Sequence, residues 1–174
     1  MRIFRVSLSV AGLCLLLLSG CQRKPSAELP SDSFRLTAKK ILADDCCRVL
    51  VVTVQARRYV GISARASAYR GSGTSVVLGN PGEEKQREGR VILVAMRVAP
   101  TGGAKAYLQT IIKAEAEGTI AGGQSLREVP ADSKVDDLCS VSSSSGVYKL
   151  GTPVTIAQLQ GKPVTVVAKR VVER

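Results

Sequence analysis

Three pairs of acidic residues have the spacing that could support acid–base chemistry. They are Asp44 with Asp45, Glu115 with Glu117, and Asp136 with Asp137. Two carboxyl groups held in unlike environments can cleave a glycosidic bond, one as acid and one as base. The chain contains no His, which excludes a Ser-His-Asp triad, a Cys-His pair and an HExxH zinc helix. The acidic residues are few and scattered, so we assign no catalytic residue and predict a non-catalytic protein, with a carboxylate-dependent glycan hydrolase as the alternative.

A second group of residues combines cations with aromatic rings. Alternation along an extended segment puts Tyr59, Arg65 and Tyr69 on one outward face, with further arginines near its two ends. Arginine and tyrosine bind anionic groups through charge, hydrogen bonds and stacking. We predict an anionic glycan or lipid headgroup as the ligand of this face, and an ordinary solvated strand face is the alternative. The whole group, called the cationic stripe below, is Arg57, Arg58, Tyr59, Arg65, Tyr69 and Arg70.

The amino-terminal segment has the order of charges and apolar residues that is typical of an export signal. Arg2 and Arg5 precede an uncharged apolar run over residues 6–18. A helix of that length would rise about 20 Å, less than the roughly 30 Å of hydrocarbon in a bilayer. The run therefore predicts a cleaved signal rather than a spanning helix, although an uncleaved short anchor is an alternative.

The residues that follow, Leu18-Ser19-Gly20-Cys21, resemble the lipobox of bacterial lipoproteins. The resemblance covers this segment alone, and the rest of the chain resembles no family that we recognise. It implies cleavage between Gly20 and Cys21 and attachment of a diacylglyceryl group, with palmitate-type acyl chains, to the sulfur of Cys21. Such chains contribute about 0.8 kcal/mol for each buried methylene, so two or three of them hold a protein firmly. Gln22 stands where an inner-membrane retention signal would have Asp, which favours the outer membrane; an ordinary signal with a chance cysteine is the alternative.

Processing leaves three cysteines and a basic chain. Loss of Cys14 and acylation of Cys21 leave Cys46, Cys47 and Cys139. In an oxidising compartment we expect a disulfide from Cys139 to Cys46 or Cys47. Their spacing lacks the CxxC regularity of structural metal sites, so no metal or other cofactor is predicted.

The charge balance indicates the class of partner. The formal net charge of +11 falls to +9 because two arginines and no acid leave with the signal peptide. A basic exported domain is attracted to anionic lipids and acidic envelope polymers. Nucleic acid is not expected, because of the exported location and an aromatic content of only 3%.

Period-two alternation of apolar residues dominates the exported part and indicates strands. Residues 50–56, 60–68, 75–78, 91–98, 154–159 and 164–172 fit strands, and 119–142 reads as loops with one weak strand. Residues 104–117 fit either a strand that pairs with 91–98 or a short helix. The pair Arg57-Arg58 indicates either a bend between two strands or a bulge within one long strand. The segment 91–98 is apolar on both faces, as expected for a strand covered on both sides.

The pattern as a whole predicts an all-β fold, an antiparallel two-sheet sandwich of about eight or nine short strands. The predicted organisation is a signal peptide over 1–20, a flexible acylated tether over 21–33, and one β-rich domain over 34–174. The function that follows is a lipid-anchored protein of the bacterial envelope, facing the periplasm or the exterior, with a non-catalytic binding or structural domain. Its expected partners are the membrane, through the anchor, and an envelope protein or anionic polymer.

Overall fold

The protein folds as two antiparallel β-sheets packed against each other, which confirms the predicted all-β sandwich. The computed structural model describes residues 28–142 and 144–172. The predicted signal peptide 1–20, the cleavage and lipidation site at Gly20 and Cys21, and the first part of the tether lie outside the described residues.

Eleven strands and one short helix make up the described part of the chain, where eight or nine strands were predicted. In chain order they are β1 (Ser33–Asp44), β2 (Cys47–Ala56), β3 (Val60–Ala66), β4 (Gly73–Leu78), β5 (Arg87–Val98), β6 (Ala106–Ala116), β7 (Thr119–Val129), α1 (Val135–Leu138), β8 (Cys139–Val141), β9 (Gly146–Lys149), β10 (Val154–Leu159) and β11 (Lys162–Arg170).

The strands divide into a six-stranded and a five-stranded sheet. The six-stranded sheet has the order β7-β6-β5-β2-β1-β9, and the five-stranded sheet has the order β4-β3-β11-β10-β8. The predicted alternation is confirmed on the strands that line the interior. The buried inward sets are Leu50, Val52, Val54 and Ala56 on β2, and Val60, Ile62, Ala64 and Ala66 on β3.

The connection between β2 and β3 is a bend between two strands, one of the two alternatives given by the sequence, and not a bulge within one long strand. β2 belongs to the six-stranded sheet and β3 to the five-stranded sheet, so residues 57–59 carry the chain from one sheet to the other. They form neither a hairpin turn nor a bulge. Both strands bury their apolar face against the same interior, β2 from one sheet and β3 from the other.

The ambiguous segment 104–117 forms β6, a strand and not a helix. It pairs with β5 over the full register from Gly89 opposite Ala116 to Val98 opposite Tyr107. A helix would bury a stripe, whereas β6 buries every second residue along its length. The helix of the described residues lies elsewhere, at α1, and has four residues.

β5 is covered fully on one face only, contrary to the sequence-based expectation. Val91, Leu93 and Ala95 are buried in the interior, whereas Ile92 and Val94 on the opposite face are half-buried. Side chains of the neighbouring strands β2 and β6 shield this outer face, because Val94 lies between Val49 and Ile111 in the register. No second layer of described residues is needed to account for its apolar character.

The hairpin predicted near the carboxyl end is confirmed as β10 and β11. Its two turn residues, Gln160 and Gly161, both have positive φ, at 49° and 73°. This is the geometry of a type I′ turn, whose twist matches that of the flanking strands.

Candidate functional site

The structure separates the cationic stripe into two groups at opposite ends of β3. Arg57, Arg58 and Tyr59 precede this strand, and Tyr69 and Arg70 follow it. The seven residues of β3 extend over about 20 Å. Arg65 lies exposed on the outer face of the strand. A compact ligand therefore cannot contact both groups at once.

Tyr69 faces inward, which corrects its predicted outward position. β3 ends at Ala66, and the following turn places the ring in the interior, where the residue is only 9% exposed. Burial raises the pKa of Tyr69, an effect that the neighbouring hydroxyl of Thr110 opposes. The ring is a core side chain and offers no stacking surface to a ligand.

Two residues of the first group, Arg58 and Tyr59, line a cleft of about 510 Å³ at one end of the sandwich. The chain segment between β2 and β3, the loop between β4 and β5, and the residues after β11 meet there. The backbone N–H of Val171 donates a hydrogen bond of 3.1 Å to the carbonyl of Tyr59, which joins two of these segments. We call this the crossover cleft, and the end of the sandwich that holds it the crossover end. Its lining residues are Arg58, Tyr59, Pro81, Gly82, Glu83, Glu84, Arg170, Val171 and Val172.

The cleft contains two cations that differ in their surroundings. Arg58 lies with its Nη2 atom 3.2 Å from Oε1 of Glu84, whose carboxylate is largely exposed. The Nε atom of Arg58 is buried and makes no hydrogen bond to any described residue. Arg170 is exposed, and it forms no ion pair with the part of the chain that the structure describes. Both guanidinium groups therefore retain capacity to bind an anion.

The two acidic residues at the rim of the crossover cleft have different partners. Glu83 forms an ion pair with Arg87 outside the cleft lining. The hydrogen bond from Arg87 lowers the pKa of Glu83, so this carboxylate stays charged at neutral pH. Glu84 is the acid that pairs with Arg58, and an external anion would have to compete with it. An exposed pair of this kind contributes little stability and is exchangeable for an external anion.

The chain enters the domain beside this cleft. Nη2 of Arg57 lies 3.0 Å from Oε1 of Glu28, and Leu29 is only 1% exposed. The backbone N–H of Ser33 donates to the carbonyl of Pro30 in a turn that leads into β1. Residues 28–33, which the sequence assigns to the tether, are thus packed on the domain at its crossover end.

The sequence analysis missed a further cation, Arg48. It is buried, and it donates through Nε and Nη2 to the carboxylate of Asp136 and through Nη1 to the carbonyl of Cys47, the last at 2.9 Å. The hydrogen bond from Arg48 lowers the pKa of Asp136. Arg48 is two residues before Leu50 on the inward face of β2, so the alternation itself contained the signal. It borders a cleft of about 390 Å³ between the two sheets, at the end opposite the crossover cleft.

The predicted disulfide is wrong, because no disulfide joins the cysteines of the described residues. Cys46 is exposed in the turn after β1, Cys47 begins β2, and the buried Cys139 begins β8 in the other sheet. The electrostatic effect of Cys47 on Cys139 shows that these two side chains are neighbours, but they are not bonded to each other. Burial raises the pKa of the Cys139 thiol to about 11.

Two members of the acidic pairs, Glu117 and Asp136, contact cations. Glu117 accepts a hydrogen bond from the backbone N–H of Gly79 and lies 3.6 Å from Arg87. Glu115 lies beside Arg90 in the register, and Asp136 is bound by Arg48. Asp45 and Asp136 line one cleft with three cationic residues. The lowered pKa of Asp136 is the opposite of what a general acid needs, so Asp136 is not suited to that role.

Comparisons with known proteins found no matching family model, no matching curated protein and no matching solved structure. The described residues contain no helix of the length and apolar character required to cross a bilayer.

Proposed function

We propose that this chain is an acyl-anchored lipoprotein of the bacterial envelope whose β-sandwich is a non-catalytic binding domain. The observation that carries the proposal is the position of the motif relative to the fold. Leu18-Ser19-Gly20-Cys21 ends seven residues before Glu28, the first residue that the structure describes, which pairs with Arg57 on the sandwich. The thiol that would be acylated therefore lies a short length of chain before the folded domain, which is compatible with an anchor.

The crossover cleft is the proposed binding site for an anionic envelope ligand. It combines two guanidinium groups, Arg58 and Arg170, with the ring of Tyr59 in a concave surface. Guanidinium groups bind phosphate and carboxylate in a bidentate manner, and an adjacent aromatic ring provides an apolar wall. These are features of a binding site for an anion.

Replacement of the motif cysteine tests the anchor. We expect Cys21→Ser to remove acylation, because only the thiol forms the thioether, and to leave an unprocessed precursor. Intact-mass spectrometry of the purified chain and fractionation of membranes measure the two effects.

The exposed Cys46 supplies a matched control. Cys46→Ser changes a thiol outside the motif and should leave the lipid adduct and membrane retention as they are in the unaltered chain. A Cys21→Ser chain that is processed normally and still carries the lipid would refute the anchor assignment.

A further inference from the structure

The length of chain between the proposed anchor and the fold limits how the domain sits at the membrane. Seven residue steps separate Cys21 from Glu28, and an extended chain covers at most about 25 Å in seven steps. Glu28 is paired with Arg57 at the crossover end. If Cys21 is acylated, the crossover end stays within about 25 Å of the lipid surface in every orientation of the domain.

The opposite end of the sandwich is farther from the anchor by the length of the strands. β1 begins at Ser33 beside the entry point and contains 12 residues, so it extends over about 40 Å. Ile41, near the end of β1, is 60% exposed and lies about 27 Å from Ser33 along the strand. Arg70 also lies toward this opposite end, in the turn after β3.

The crossover end presents the types of residue that contact a lipid surface. Arg58 and Arg170 supply positive charge, Tyr59 supplies an amphipathic ring, and Val172 is 77% exposed. Basic side chains are attracted to anionic headgroups, and tyrosine is favoured at the level of the headgroups. Arg23 and Lys24, which precede Glu28 in the sequence, add two positive charges between the anchor and the domain.

We propose that the crossover cleft binds the headgroup of an anionic phospholipid in the membrane that holds the anchor, with the phosphate on Arg58 and Arg170. The inference rests on the proposed acyl anchor and names the ligand of the proposed binding site. When no headgroup is present, the carboxylate of Glu84 pairs with Arg58 in the place that the phosphate would take. Docking exchanges one exposed ion pair for a contact with the membrane to which the domain is already tethered.

The absence of Trp from the chain allows a single fluorescent reporter. Val172→Trp places it at the exposed rim of the cleft, and Ile41→Trp places a matched reporter at the opposite end. The acylated full chain is reconstituted into vesicles of phosphatidylcholine, with or without phosphatidylglycerol, that contain a lipid spin-labelled on its headgroup. We expect stronger quenching of the Val172→Trp reporter than of the Ile41→Trp reporter, and an increase of the difference with phosphatidylglycerol.

Charge variants made in the Val172→Trp chain identify the residues that make the contact. Arg58→Gln or Arg170→Gln should each weaken the contact equilibrium by about fivefold, and Glu84→Gln should strengthen it. Arg70→Gln, a matched arginine change at the opposite end, should have no effect. Salt should reduce the quenching, because the Debye length falls from about 8 Å at 0.15 M to about 3 Å at 1 M.

Two results would overturn the headgroup contact. The first is equal quenching of the two reporters in the presence of phosphatidylglycerol. The second is a fluorescence response of Val172→Trp to soluble heparin but not to phosphatidylglycerol, which would assign the cleft to an anionic polymer.

The mass of the Cys21 adduct, measured on the same samples, separates this inference from the proposed function. An acylated chain with equal quenching overturns the headgroup contact alone. A chain with unmodified Cys21 overturns the anchor and, with it, the contact.

Discussion

Cys139 shows how its position in the fold changes the chemistry of a single side chain. The thiol is 2% exposed, and burial raises its pKa from 9.0 to about 11, an effect that the cation of Arg48 partly offsets. The thiolate, which is the reactive form, is therefore disfavoured at neutral pH. Cys139 behaves as a small apolar core residue, and its thiol takes no part in the proposed function.

The raised pKa predicts a pH dependence of stability. A group whose pKa is raised on folding contributes its full stability below pH 9, and the contribution is lost as the pH rises toward 11. We expect the free energy of unfolding to fall over this window by about 3 kcal/mol more in the unaltered chain than in Cys139→Ala. Equilibrium urea unfolding at a series of pH values measures the difference. Parallel pH profiles for the two chains would contradict the assignment.

At the scale of elements, β7 shows why a strand can escape detection in a sequence. Its inward positions are Ala121, Gly123 and Ser125, which are too small or too polar to give an apolar alternation. The structure explains these residue types by the approach of β4. A Cβ atom on Gly123 would lie 2.7 Å from the carbonyl oxygen of Gly73, so only glycine allows the two strands to come this close.

Two neighbouring glycines of β7 provide a matched test of that packing. Gly123→Ala should destabilise the protein by about 1–3 kcal/mol, because backbone atoms of β4 must move. At Gly122 the nearest atoms to an added Cβ are 3.9 Å away, so Gly122→Ala should change stability by no more than about 0.5 kcal/mol. Thermal or urea unfolding of both chains gives the comparison. Similar effects at the two positions would show that β4 does not press on Gly123.

At the scale of the whole molecule, the packed start of the chain joins the fold to the proposed anchor. Residues 28–33 are bound to the crossover end through Glu28 and Leu29. With the proposed anchor at Cys21, this packing would keep the crossover end of the sandwich nearest the membrane. The same end contains the crossover cleft, so the position of the entry point assigns an orientation to the binding site.

Truncation of Leu29 tests whether the entry segment belongs to the folded domain. The side chain is 1% exposed, and replacement of a buried leucine by alanine costs about 2–5 kcal/mol. We expect Leu29→Ala to lower the free energy of unfolding within this range, as measured by urea unfolding followed by circular dichroism. Val172→Ala, at an exposed position, serves as the control and should change it by less than about 0.5 kcal/mol. A Leu29→Ala chain with an unchanged free energy of unfolding would mean that the tether extends beyond residue 28.

Much of the fold could be predicted from local patterns, and the candidate site only in part. The inward residues of β2 and β3 follow the period of a strand, which a sequence displays directly. The stripe residues Arg58 and Tyr59 do line a cleft. Arg170 joins them only because β11 ends beside the chain segment between β2 and β3, a contact between positions more than a hundred residues apart.

The sequence by itself determined the alternation that makes strands, the position of the closing hairpin, and the export and acylation motif on which the proposed anchor rests. These features are encoded by neighbouring residues, because strand geometry and recognition of a short motif depend on spacing along the chain. The tertiary structure alone decided which sheet each strand joins, the inward position of Tyr69 and the burial of Arg48. It also decided that Cys139 forms no disulfide with the described residues, and at which end of the sandwich the chain enters. Each of these depends on contacts between distant segments, and such contacts leave no periodic signal in the residues that make them.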